Sequence, residues 1–149
     1  MLSLAGCGFQ LRGATTIPPE MSRTYISTSD RHSVFYRKLR VGLQQAGAEM
    51  VDSPVDATAV FSIFTDATDQ RVISVSARNV PREYEIYYTI IYELNTDEAT
   101  LMEERTQTLT RDYTFDETLV LGKAREEEVL RDAIADDLVR IVLIQLSSL

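Results

Sequence analysis

With 149 residues, 44% hydrophobic content and a single cysteine, the chain is long enough for one domain with its own core, without the disulfides or metals that hold much smaller folds. A formal net charge of −8 argues against a nucleic-acid binder, because neutralising phosphates takes a basic face. His32 is the only histidine, so together with the lone cysteine it leaves no zinc-type or thiol redox constellation, and no cofactor is expected.

In chain order the first signal is Leu4-Ala5-Gly6-Cys7. A lone cysteine can be a buried thiol, a reactive thiol or an anchoring point, and the small residues before Cys7 favour the anchor. They match a bacterial lipobox, in which small side chains admit a signal peptidase and the cysteine sulfur receives a diacylglycerol. Residues 1–6 are too few for a charged start plus an apolar stretch and read as the remnant of a signal peptide. Residues 7–20, with Gly8, Gly13, Thr15, Thr16, Pro18 and Pro19, read as a lipidated, flexible leader. The most apolar later stretch, Ile141 to Leu146, falls far short of the roughly 18 residues a membrane-spanning helix needs.

Residues 21–149 read as one folded domain. Met21 to Thr28 predicts a short first strand, and Phe35, Leu39 and Leu43 recur at helical spacing before Gly47, predicting a helix with a left-handed cap. Ala59 to Ala77 is β-rich with a polar interruption at Asp66 to Arg71, so it is either one long bent strand or two short ones. Tyr84, Ile86, Tyr88, Ile90, Tyr92 and Leu94 alternate with Glu83, Glu85, Tyr87, Thr89, Ile91 and Glu93, the strongest strand pattern present. Asn95 to Ala99 turns the chain, and Leu101 to Phe115 returns as a Thr-rich partner strand. After a connector at Asp116 to Lys123, a second helix is expected from about Arg125 to Leu146. Leu130, Ile134, Leu138 and Ile141 form its buried stripe, and Glu126 to Glu128 lie in its first turn, where acids complement the helix dipole.

This order predicts an α+β, two-layer sandwich: a mixed four-stranded sheet with two helices packed on one face. The first strand, first helix and second strand form a crossover, so those two strands run parallel and the rest antiparallel. Three segments then emerge at one end of the sheet, carrying Arg31 and His32, Arg78 and Arg82, and Lys123 and Arg125. These are either ordinary solvated loop charges or a basic rim on an acidic chain. Tyr87 shares the uncovered face with acids, Thr89 and Ile91, and that face is either solvated surface or a docking surface. Catalysis finds little support: the only histidine has no evident nucleophile and orienting partner, adjacent Glu103 and Glu104 point to opposite strand faces, and no Gly-rich loop joins a strand to a helix.

The leader Cys7-Gly8-Phe9-Gln10-Leu11-Arg12-Gly13, the strand-helix-strand-strand-strand-helix order and the Asp116 to Lys123 connector resemble the rare lipoprotein B family of lipopolysaccharide-assembly lipoproteins, called LptE. The resemblance implies a non-enzymatic outer-membrane lipoprotein that plugs the LptD barrel, assists its assembly and helps insert lipopolysaccharide into the outer leaflet. It implies lipopolysaccharide binding through basic loop residues, which match Arg78 and Lys123 here. Gly8 after the cysteine resembles lipoproteins sent on to the outer membrane. The alternative is a lipoprotein scaffold of another envelope complex that binds no lipid. A periplasmic lipid carrier would need an internal apolar cavity, which the alternation does not demand.

Overall fold

The computed structural model describes residues 16–114 and 120–149, with side chains of the last segment from residue 124 onward. Cys7 with its lipobox, most of the leader and the Asp116 to Leu119 part of the connector lie outside the described residues.

The elements are β1 (Arg23–Ser27), α1 (Val34–Gln45), β2 (Glu49–Met50), β3 (Ala59–Val75), β4 (Pro81–Thr96), β5 (Thr100–Thr114) and α2 (Val120–Leu146). They build one sheet in the order β2-β1-β3-β4-β5. The sheet therefore has five strands, not four. The additional strand pairs only Arg23 with Glu49 and Thr24 with Met50, and two residues are too few for a legible alternation.

β1 pairs β3 in parallel from Thr24 opposite Ala59 to Ser27 opposite Ser62, with α1 as the crossover, as expected. The stretch from Ala59 is one strand. Its polar residues continue the pairing with β4, interrupted by register shifts between Ile63 and Thr65 and between Val72 and Val75. β4 and β5 form the expected hairpin, Tyr84 opposite Tyr113 and Thr89 opposite Thr108.

α1 starts at Ser33, whose hydroxyl accepts from the Tyr36 amide at 3.0 Å. It ends where Gly47, at φ 103, lets the Ala48 amide reach the Leu43 carbonyl and the Gly47 amide the Gln44 carbonyl. Between them Phe35, Leu39 and Leu43 are fully buried. On the sheet, alternation buries Ile86, Tyr88, Ile90, Tyr92 and Leu94 of β4, and Tyr92 stacks on Phe61 with centroids 5.2 Å apart. Ile134, Leu138, Val142 and Leu146 of α2 close the same core, which also takes in Ile17.

α2 begins at Val120, so Val120 to Lys123 belong to the helix rather than to a connector. Glu126 to Glu128 consequently lie beyond the first turn and do not meet the helix dipole. Instead Glu127 pairs with Arg131 and Glu128 with Arg125 along the helix surface. Further along, Arg111 of the edge strand β5 pairs with Asp137, and Lys38 of α1 is held at 2.7 Å by Asp136 and 3.0 Å by Asp132. No described helix is long and apolar enough to cross a membrane.

The helices meet at Gly42, where an added Cβ would lie 2.8 Å from Leu143 Cδ1 and 3.3 Å from Val139 Cγ1. Gly42→Val should therefore push α1 off α2 and cost roughly 1–3 kcal/mol, the usual range for overpacking. Denaturant unfolding measures this, and an unchanged midpoint would refute the close-packed contact.

Candidate functional site

The feature that sets this sheet apart is the unequal length of its strands. β1 stops opposite Ser62, whereas β3 runs on from Thr65 to Val75 with β4 as its only strand neighbour among the described residues. At a rise of ~3.3 Å per residue, that stretch carries the ribbon roughly 35 Å past the end of β1. Its tip is the turn Ser76-Ala77-Arg78-Asn79-Val80. The Ser76 amide donates to the Val80 carbonyl at 2.7 Å, the Val80 amide to Ser76 Oγ at 3.2 Å and the Asn79 amide to the Ser76 carbonyl at 2.9 Å. Asn79 sits at φ 61, a left-handed conformation that asparagine tolerates better than most residues.

Arg78 on this turn and Arg82 at the start of β4 are exposed, and neither has an ion pair among the described residues. The neighbouring charges are occupied. Arg71 bonds Glu85 at 2.6 Å, and Glu83 accepts from Ser74 Oγ at 2.6 Å. β5 ends at this same end of the sheet, with Thr114 opposite Glu83. α2 then retraces the sheet: Arg111 pairs with Asp137, and Tyr92 O–H donates to Gln145 Oε1. The helix start, which holds Lys123, is thus the end of α2 nearer the tip, but Ala124 and Arg125 directly after it line a groove with His32 and Asp66, well short of Arg78; the Lys123 side chain is outside the described set.

Of the six basic residues anticipated as one rim, Arg31 and His32 lie apart from Arg78 and Arg82. Arg31 and His32 follow β1 and sit far back along the ribbon, Arg31 donating to Tyr25 O–H oxygen at 3.1 Å. His32 and Arg125 line a groove of about 750 Å³ under the N-terminal half of α2, together with Asp30, Asp66, Tyr88 and Arg131. Acids and bases are interleaved there. Asp66 accepts from Ser33 Oγ and from Tyr88 O–H, both at 2.5 Å, and so ties the start of α1 to the centre of the sheet. Ser33 Oγ thus both caps α1 and donates to Asp66. This inward-facing carboxylate was legible only as part of a polar interruption.

On the sheet face away from the helices, Tyr87 O–H donates to Asp69 at 3.3 Å and the hydroxyls of Thr89 and Thr108 are 2.9 Å apart. The sequence also gave no weight to the aliphatic residues next to the tip. Val72, Ile73 and Val75 read as ordinary strand residues, yet each is about half exposed.

Comparison with known proteins settles the family. The LptE family model, described as lipopolysaccharide-assembly, matches residues 21–146. The chain belongs to the LptE family. An LPS-assembly lipoprotein LptE of Yersinia enterocolitica is 29% identical over 150 residues, spanning 97% of this chain and 72% of that one. A solution structure of an uncharacterized lipoprotein B from Nitrosomonas europaea superposes with a TM-score of 0.78 at 28% identity, covering 95% and 92% of the two chains. The crystal structure of rare lipoprotein B from Shewanella oneidensis shares the fold, with a TM-score of 0.73 at 23% identity over 85% of this chain and 94% of that one. The chain is thus a non-enzymatic lipoprotein of lipopolysaccharide assembly in the cell envelope.

Burial raises the pKa of Tyr88 well above the ordinary tyrosine value of 10.0, and the adjoining Asp66 carboxylate adds to it; burial likewise raises Tyr92 and Tyr113. Above about pH 10 the folded state therefore holds more protons than the unfolded state, so stability is fully present below that pH and is lost as pH rises past it. Tyrosinate absorbance should show these three ionising only with unfolding, and Tyr88→Phe should lessen the alkaline loss. Ionisation of all seven tyrosines together near the ordinary value, with the fold intact, would contradict this.

Proposed function

We propose that this chain is an outer-membrane lipoprotein, anchored by acyl chains on Cys7, that occupies the lumen of the LptD barrel. There it assists barrel assembly and helps insert lipopolysaccharide into the outer leaflet, meeting the lipid with Arg78 and Lys123. The observation that carries this reading is the tip. In a chain of net charge −8, an exposed arginine without an ion pair among the described residues sits on the turn that ends the β3–β4 ribbon.

The chemistry asked of these residues is electrostatic. Lipid phosphates accept charge-assisted hydrogen bonds from guanidinium and ammonium groups, stronger than those between neutral partners. Drawing phosphates away from their neighbours would loosen packed lipopolysaccharide, while the body of the domain fills the barrel. A polar, Thr-rich sheet face suits a barrel lumen, which is itself polar.

The Arg78→Asp/Lys123→Asp protein should remain folded, and its Arg78→Asp change should cost less than about 1 kcal/mol, since an exposed cation contributes little to stability. Its affinity for lipopolysaccharide should fall clearly, with a shallower salt dependence, because attraction at each phosphate becomes repulsion. Titration of both folded proteins at two salt concentrations tests this. Equal binding would favour a scaffold that touches no lipid beyond its anchor.

Mass spectrometry of membrane-purified protein should find the mature chain beginning at an acylated Cys7, and Cys7→Ser should release it from the membrane. An unmodified Leu4 to Cys7 segment in mature material would overturn the anchor.

A further inference from the structure

The last four residues of β3 before the turn include three aliphatic side chains, Val72, Ile73 and Val75, exposed to 46%, 44% and 54%. Single exposed aliphatics need no explanation, but three in four at the end of a protrusion do. None belongs to the core or packs against it. Strand propensity does not demand them either: β5 fills the exposed positions Thr106, Thr108, Thr110 and Thr114 with threonine, which favours strands equally well.

Their charged surroundings point to a class of ligand. Arg78 and Arg82 follow directly, and among the described residues neither has an ion pair; of the acids nearby, Glu85 is paired with Arg71 and Glu83 accepts from Ser74 Oγ. Exposed aliphatic side chains beside cations that have no ion pair among the described residues are complementary to an anionic amphiphile, whose phosphate and acyl chain are covalently joined. A soluble phosphate would leave the aliphatics unused, and an apolar lipid would leave the arginines unused.

We infer that the hairpin tip binds lipopolysaccharide as an amphiphile: Val72, Ile73 and Val75 cover part of its acyl chains while Arg78 and Arg82 meet its phosphates. This rests on the reading that Arg78 contacts lipopolysaccharide, and adds the acyl chains as a second determinant and Arg82 as a second cation at the tip.

The test uses the full chain with intact lipopolysaccharide, with chemically deacylated lipopolysaccharide that keeps the same phosphates, and with phosphatidylglycerol vesicles. Wild type should bind the intact lipid at least about tenfold more tightly than the deacylated form, the scale that burial of a few methylenes gives. Val72→Thr/Ile73→Thr/Val75→Thr should bring intact-lipid affinity down to the deacylated level and leave binding of the deacylated form unchanged. Because the chain has no tryptophan, Ile73→Trp supplies a reporter independent of that variant's folding. Its emission should shift to the blue with intact lipopolysaccharide and not with the deacylated form. Wild-type binding to intact lipid by the triple variant, or no shift at Trp on binding, would overturn the acyl contact alone. Failure of wild type to bind either form would overturn the underlying reading as well, and equally tight binding to phosphatidylglycerol would replace lipopolysaccharide with any anionic bilayer.

Discussion

The structure depends on the need to cover one face of β4. That strand is paired along both edges, and its period-2 alternation commits Ile86, Tyr88, Ile90, Tyr92 and Leu94 to a single side. No sheet alone can bury such a row, so α1 and α2 must lie across it. Their cover has a definite limit. At the centre, Phe61 stacks on Tyr92; toward the tip, Tyr84 stacks on Tyr113 at 5.4 Å and closes the core. Beyond that stack the ribbon has no second layer among the described residues.

The charges follow from the same arrangement. Where two layers meet, cations find acids: Lys38 with Asp132 and Asp136, and Arg111 with Asp137. Most such exposed pairs contribute little stability, but they neutralise each other and leave no field for an anion. At the tip no acid of a second layer lies among the described residues, and Arg78 and Arg82 have no ion pair there. A chain acidic overall can thus present a local positive end through geometry alone.

What was legible in the sequence was whatever repeats. The alternation of β4 and the four-residue spacing of Phe35, Leu39 and Leu43 defined the core faces, and the crossover rule gave the parallel pair β1 and β3. Short or unperiodic features escaped. β2 is two residues long, and the start of α2 at Val120 passes through Gly122, which disguises it as loop. Asp66 reads as a strand breaker until Ser33, some thirty residues earlier, is seen to donate to it. The position of Arg78 beyond the end of β3 followed from strand direction. Its distance from Arg31 did not, because nothing local states where β1 stops along β3.

One further consequence concerns the edge strand β5. Fifteen residues with one unpaired side form a template onto which a strand of any other molecule could add. Arg111 on the side facing α2 is already bound to Asp137, and Arg105, Glu103, Glu104 and Asp112 surround the edge with exposed charge. An incoming strand would have to strip water from these groups without replacing their partners. The edge therefore resists zippering between copies. Exposed charge along an unpaired strand edge is thus a built-in safeguard against fibre formation between copies of the chain.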